Sequence, residues 1–316
     1  MNKIRIGHLT TAYHTAFILM GTKWIEKKMG IEPEWKLFPT GPAMVKAFTG
    51  NELDVGYIGL PPAMIGIDKG VPLKCIAGGH MEGTVLTAKG SLSTYEEIGN
   101  IMEILKQLKG KTVGTPSRGS IHDVIIRTLL DEAGLQQEVT VRNFAWADLV
   151  LYAMEQGEVQ AAAGTPPLAV LTSQHLGARV ILPPNVMWPH NPSYGIVTTT
   201  GMIESSTDLL RSFLMLHEDA CNLIRERPRT AARIVSDAVG IMDEKFILQV
   251  YKISPKYCAS LPSEYIRSTI AFVPVLRKMG YITNELEEKD VFHKAIIDGI
   301  HDEPPHYEIP LKIMSV

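Results

Sequence analysis

Over the first two hundred residues, short apolar runs alternate with stretches of helical period. The apolar runs predict strands at 4–9, 34–38, 54–58, 73–77 and 85–87, with helices at 17–29, 43–48 and 62–69 between them. A second set of the same kind follows. Its strands are expected at 111–114, 139–143, 159–163 and 179–182, its helices at 121–133 and 147–156, and a further strand at 194–200. Strand–helix alternation of this sort predicts parallel, doubly wound sheets. From Ser205 onward only helices are expected. Leu210, Phe213, Leu214, His217, Cys221 and Ile224 mark the buried stripe of one, and Ile266, Ile270, Val273 and Leu276 that of another, with Gly280 as its stop.

The pattern repeats itself once. Ala47-Phe48-Thr49-Gly50-Asn51-Glu52-Leu53-Asp54 leads through a strand into Gly59-Leu60-Pro61-Pro62-Ala63. Ala153-Met154-Glu155-Gln156-Gly157-Glu158-Val159-Gln160 leads through a strand into Gly164-Thr165-Pro166-Pro167-Leu168-Ala169. Each time a helix is expected to end at a glycine free to take positive φ. A strand follows, and a Pro-Pro turn opens the next helix where a missing N–H costs nothing. Two lobes of one α/β architecture are therefore expected: residues 1–88 with 198–316, and residues 89–197. They would be joined by crossings near 87–94 and 183–198, the second stiffened by Pro183-Pro184 and by Trp188-Pro189-His190-Asn191-Pro192.

Open α/β sheets bind ligands beyond the carboxyl ends of their strands, where helix N-termini favour an anion or polar acceptor. The first lobe offers Thr10, Thr11, Tyr13 and His14 there, then Thr40 and Gly41, Gly59 and Leu60, and Gly79, His80 and Glu82. The second offers Ser117, Arg118, Gly119, Ser120 and His122, then Ala145 and Trp146, then Thr165; Tyr194 stands at the return crossing. Hydroxyls, glycines, imidazoles and a few aromatics suit a modest polar ligand held against an apolar wall. Thr115-Pro116-Ser117-Arg118-Gly119-Ser120 resembles an anion cradle without the Gly-Lys-Ser/Thr of a P-loop, and ligand contact is the favoured reading over an ordinary capped helix start. His14, His80, His122 and His190 fall at strand ends or turns, and none is paired at i, i+4 as a metal site would want, so no metal is expected. There is no Gly-x-Ser-x-Gly elbow and no cysteine with a base beside it, which argues against an enzyme.

Composition narrows the picture further. The chain has 316 residues, 45% of them hydrophobic and 21% charged, enough for about two ordinary domains. Net charge is −3, and no basic run is longer than Lys27-Lys28, so nucleic acid is not an expected partner. Cys75, Cys221 and Cys258 stand far apart in apolar contexts and read as buried free thiols. No stretch has the ~18 consecutive apolar residues of a membrane span. The chain enters its first strand at once, so either it is cytoplasmic or it is extracytoplasmic after removal of a leader.

Several motifs together resemble the substrate-binding proteins of nitrate/sulfonate/taurine-type ABC importers, a group that includes thiamin-pyrimidine precursor binders. They are Ile4-Arg5-Ile6-Gly7, Thr40-Gly41, Gly50-Asn51-Glu52-Leu53-Asp54-Val55-Gly56, Gly70-Val71-Pro72-Leu73-Lys74, Leu108-Lys109-Gly110-Lys111-Thr112-Val113-Gly114 and Gly157-Glu158-Val159-Gln160-Ala161. The resemblance implies a two-lobed, type II periplasmic-binding-protein-like fold with a helical C-terminal region. It also implies hinge closure on a small anionic or heteroaromatic ligand, a permease as partner, a monomer, and no cofactor. Pocket positions carried over are His14, Gly41, Leu60, Pro61, His80, Ser117, Ser120, Thr165 and Tyr194; Thr11, Tyr13 and Arg118 join them from the strand-end reading. An extra helical stretch at 94–107 departs from the family pattern, as does the lack of the cysteine-rich segment of its pyrimidine-synthesising relatives. The competing reading is a cytosolic enzyme of cofactor or aromatic biosynthesis, or a ligand sensor, on the same scaffold.

Overall fold

A computed structural model describes residues 3–312. Ten strands form two five-stranded sheets. The first sheet contains β1 (Lys3–His8), β2 (Glu32–Leu37), β3 (Val55–Ile58), β4 (Leu73–Met81) and β10 (Pro192–Thr199) in the order β2-β1-β3-β10-β4. The second contains β5 (Val85–Ala88), β6 (Thr112–Thr115), β7 (Thr140–Asn143), β8 (Ala161–Gly164) and β9 (Arg179–Leu182) in the order β7-β6-β8-β5-β9. With β6, β7, β8 and β9 set against β1, β2, β3 and β4, the two orders are the same. The sequence echo is thus a repeat of topology, with its two Pro-Pro turns following β3 and β8.

Neither sheet is purely parallel, as the alternation had predicted. β1 runs parallel to β2 and β3, and β6 parallel to β7 and β8, but β10 is antiparallel to both β3 and β4 and β5 antiparallel to both β8 and β9. The two odd strands carry the chain just after each crossing, so they enter from the opposite end. β5, expected in the first lobe, is an interior strand of the second sheet, and most of β10, expected in the second lobe, lies in the first. Hydrogen bonding therefore divides the chain at 82–84 and 183–191, slightly earlier than 88 and 197.

The crossings hold each other. The Glu82 N–H donates to the Asn191 carbonyl at 2.8 Å, and the His190 N–H to Glu82 Oε1 at 2.9 Å. Both Glu82 (φ 59°) and His190 (φ 57°) are left-handed, a conformation that side chains larger than glycine adopt only where surroundings impose it.

Local chemistry altered two other expectations. The helix predicted over 17–29 breaks at Lys23 (φ 54°) into Ala16–Thr22 and a π-helical turn, Ile25–Met29. Gly50 keeps φ at −79°, and its neighbour Asn51 (φ 54°) makes the left-handed turn; at the second copy Gly157 (φ 75°) does so itself. Asparagine tolerates that region better than most residues. Asp54, beyond this turn, receives Arg5 in a bidentate pair at 2.6 and 3.1 Å, fixing the approach to β3 against β1.

The helical C-terminal region spans both halves. Helices Thr207–Glu226 and Pro228–Val239 pack on Ala16–Thr22 of the first lobe. Helix Glu244–Ile253 packs on Pro166–Leu176 of the second, and Phe272–Lys278 lies against Ile121–Glu132. Tyr281 donates to Asp123 Oδ2 at 3.0 Å, and Trp188 stacks on Phe272 with ring centroids 4.1 Å apart. The extra stretch at 94–107 forms two short helices, Tyr95–Ile98 and Ile101–Lys106.

Gly79 on β4 shows how tightly the first lobe closes behind the crossing. A Cβ there would stand 2.1 Å from Cε2 of the fully buried Tyr194. Gly79→Ala must displace that ring, and overpacking of this kind costs about 1–3 kcal/mol. Urea unfolding of the variant is expected to show a lowered midpoint at unchanged slope; an unaltered midpoint would mean that the ring moves freely.

Candidate functional site

The C-terminal ends of β1, β3, β6 and β8 open onto one cavity of about 60 Å³. Thr10, Thr11, Tyr13 and His14 follow β1; Thr40 and Gly41 follow β2; Gly59 and Pro62 follow β3. From the second lobe come Pro116, Ser117, Ser120, Ile121, His122 and Thr165, and from β10 comes Ser193. Both lobes therefore wall a single space.

Helices start around this cavity at Thr40, Gly59, Ser120 and Thr165, each an N-cap in extended conformation. Three of the four use their hydroxyl on their own helix. Thr40 Oγ1 accepts from Ala43 N at 3.3 Å, Ser120 Oγ from Asp123 N at 3.3 Å, and Thr165 Oγ1 from Leu168 N at 3.4 Å. Proline removes donors at Pro42, Pro61, Pro166 and Pro167. At the first two helical positions this leaves the N–H groups of Gly41, Leu60, Ile121 and His122 without an intrahelical acceptor. Three helix starts thus offer free N–H groups around one small space, while the fourth, opened by Pro166-Pro167, offers none at its first two positions.

Three polar side-chain atoms of the cavity wall have no hydrogen-bond partner within the protein: Thr11 Oγ1, His14 Nδ1 and Ser117 Oγ. Buried polar atoms are normally paired, so this concentration marks where a guest would supply partners. Other wall groups are already oriented. Tyr13 OH and Ser193 Oγ are 2.9 Å apart, and His122 Nδ1 and Thr84 Oγ1 2.9 Å apart. The wall carries no Lys, Arg, Asp, Glu or Cys among the described residues.

Of the residues expected at the site, Thr11, Tyr13, His14, Gly41, Ser117, Ser120 and Thr165 line the cavity. Leu60 and Pro61 are buried just behind it, where only the Leu60 N–H is a donor; Pro62 is the proline in the wall. His80 lies deeper, its Nε2 2.8 Å from the Ser254 carbonyl. Tyr194 is fully buried, with its hydroxyl 3.3 Å from Thr15 Oγ1 and its ring centroid 4.0 Å from that of His14. Arg118 points away: it is exposed, and its Nε donates to Tyr281 OH at 3.2 Å. Ile121 and Ser193 were not anticipated, while Pro116 belongs to the segment read as an anion cradle. Ser193 sits one residue before Tyr194 on β10, and strand alternation turns it to the cavity.

Two carboxylates near the cavity, Asp123 and Glu82, are committed elsewhere. Asp123 accepts from Gly119 N, Arg127 Nε, Asn143 Nδ2 and Tyr281 OH, all at 2.7–3.0 Å. Glu82 holds the crossing and pairs with Lys256 at 3.2 Å. A groove of about 460 Å³ adjoins the cavity, sharing Thr10, Thr11 and Thr165 and continuing along Trp146, Asp148, Leu149, Leu168 and Leu171 to Ile241 and Met242; Asp148 is its one charged residue among those described.

In and behind the cavity wall, burial keeps these histidines neutral. His80 is pushed down to about 3 and His217 and His122 to about 4, while His8 and His14 are also lowered, all chiefly by desolvation. A base whose folded pKa lies below its unfolded value near 6.5 contributes stability that is complete above about 6.5. That stability is lost as pH falls from there toward the folded values, because only the unfolded chain takes up the protons. Denaturant unfolding between pH 7 and pH 4.5 is expected to show stability falling by up to about 1.4 kcal/mol per pH unit for each such histidine. A flat profile would contradict neutral burial.

Comparison with known proteins agrees with this architecture. The alkanesulfonate-binding protein SsuA of Xanthomonas axonopodis pv. citri, bound to MOPS, superposes with a TM-score of 0.78 at 16% identity, covering 93% of this chain and 99% of its own. The periplasmic nitrate-binding protein NrtA of Synechocystis PCC 6803 gives 0.75 at 13% identity, covering 98% and 91%. A protein of Brucella abortus, named as a candidate binding protein, is 24% identical over 183 residues, which is 58% of this chain. The chain spans about half the length of that relative, 54%. Residues 1–239 match the NMT1-like family as a whole, and the chain belongs to that family.

Proposed function

We propose that the chain is a solute-binding protein, which closes its two lobes on one small anionic or heteroaromatic molecule and presents it to the permease of an ABC-type importer. One observation carries the reading: Thr11 and His14 from the first lobe and Ser117 from the second line one cavity, and each has a buried polar side-chain atom (Oγ1, Nδ1 and Oγ) without a partner in the protein. A single guest satisfying all three would hold the lobes together, which is the physical content of hinge closure.

The helix starts favour a negative or strongly polar head, held by backbone dipoles and neutral side chains. The cavity has room for about four water-sized groups. The adjoining groove, with its leucines, Trp146 and Met242, could take a short apolar body attached to such a head. That combination suits an organic sulfonate or heteroaromatic acid at least as well as a bare inorganic anion, and the alkanesulfonate- and nitrate-binding neighbours bracket the class. With Asp123 and Glu82 committed to structural partners, the donor set favours binding over acid–base chemistry. No helix of the described residues is long and apolar enough to cross a membrane. A monomer working on the extracytoplasmic side fits the proposed role.

Calorimetric titration with alkanesulfonates, nitrate, aminopyrimidines and aromatic acids tests the proposal. Saturable one-to-one binding without turnover is expected for one class. Ser117→Ala should weaken it by about 3- to 10-fold, the loss of one hydrogen bond of roughly 0.5–1.5 kcal/mol. The same change should leave unliganded stability equal or higher, because it deletes an unpartnered buried hydroxyl. Silence across the panel, or undiminished affinity in the variant, would count against the cleft as the site.

A further inference from the structure

Away from the cleft, four side chains distant in sequence converge. Glu218 lies on helix Thr207–Glu226, Cys258 follows helix Glu244–Ile253, and His301 and His306 lie beyond helix Ala295–Asp298. One ligand atom from each lies within 4.8 Å of all the others. Cys258 Sγ is 3.2 Å from His301 Nε2, His306 Nδ1 is 3.2 Å from Glu218 Oε1, and His301 Nε2 is 3.8 Å from that same oxygen. Tetrahedral Zn²⁺, with Zn–N and Zn–O of about 2.0–2.1 Å and Zn–S of about 2.3 Å, sets its ligand atoms roughly 3.3–3.6 Å apart. The three spacings of 3.2, 3.2 and 3.8 Å lie on either side of that range, and the remaining pairs, within 4.8 Å, would draw in around an ion.

We propose that Glu218, Cys258, His301 and His306 form a structural zinc site. One thiolate, two imidazoles and one carboxylate complete a four-coordinate shell, leaving no position for substrate. A sulfur and two nitrogens exclude the hard cations Ca²⁺ and Mg²⁺, which take oxygen.

The surroundings are those of a ligand shell. The second nitrogen of His306, Nε2, is 3.1 Å from Glu303 Oε2, the carboxylate partner that orients a metal-bound imidazole. Glu218 Oε2 accepts from Ala259 N at 2.7 Å, which turns Oε1 toward the histidines. The His306 N–H donates to Cys258 Sγ at 3.4 Å, and Ser260 Oγ lies 3.0 Å from it. Arg225 Nη1 stands 3.8 Å from Glu218 Oε1 and is the other charged group facing the cluster. Cys258 is fully buried, and the side chains of Glu218 and both histidines are at most 11% exposed. The site would pin the segment carrying His301 and His306 to the long helix and, through Tyr257 bridged to His80, to the end of β4.

It shares no residue with the cleft, so the two proposals fail independently. The test is elemental analysis of the full chain, reconstituted with zinc and dialysed against a weak chelator. About one zinc per chain is expected in the native protein and in a control carrying His175→Ala on the exposed surface. Cys258→Ser and His306→Ala should each hold less than about a tenth of that. Cobalt substitution of the native protein should give a thiolate-to-metal charge-transfer band, which decides the matter if either variant fails to fold. Sub-stoichiometric zinc in the native protein, equal zinc in all four proteins, or cobalt binding without the thiolate band would overturn the proposal.

Discussion

Each sheet is completed by a strand that the chain can supply only after crossing from the other. β10 lies between β3 and β4, and β5 between β8 and β9. The crossings therefore enter the interior of both sheets, where sliding one strand would break two ladders at once. This constraint fixes the ends of β1, β3, β6 and β8 on a common space. The paired crossings, joined through Glu82, His190 and Asn191, are where movement of one half against the other would have to be absorbed.

The character of the cleft follows from the same repeat. Every lobe brings a Pro-Pro turn to its third strand end, and prolines in the first helical turn thin out the available N–H donors. What remains is a few backbone amides, hydroxyls and imidazoles that burial holds neutral. Such a set can recognise a polar head group without a permanent side-chain cation. It also keeps the wall of the small cavity free of a fixed charge that would have to be desolvated on closure.

Much of this was legible in the chain. The duplicated corner around Gly50–Pro62 and Gly157–Pro167 announced two like lobes, and strand-end residues such as Thr11, His14, Ser117 and Thr165 could be named because sheets of this kind expose those positions. Other features were not legible, for reasons of geometry. Antiparallel insertion of β5 and β10 leaves no mark in hydrophobic periodicity. His80 has the right residue type but lies one layer too deep, and Tyr194 is one residue out of register on β10, where Ser193 takes the cavity-facing position. Arg118, next to the wall residue Ser117, turns out toward Tyr281, and left-handed Gly119 (φ 78°) follows it. The Glu218–Cys258–His301–His306 cluster gathers from three separate stretches of chain, and no spacing motif could have revealed it.

The most direct measurement is hydrogen exchange with and without a saturating ligand. Amides at the helix starts of both lobes, those of Gly41 and Leu60 together with those of Ile121 and His122, are predicted to slow in concert. Protection confined to one lobe, or appearing only away from these three helix starts, would contradict closure of the cleft around a shared guest.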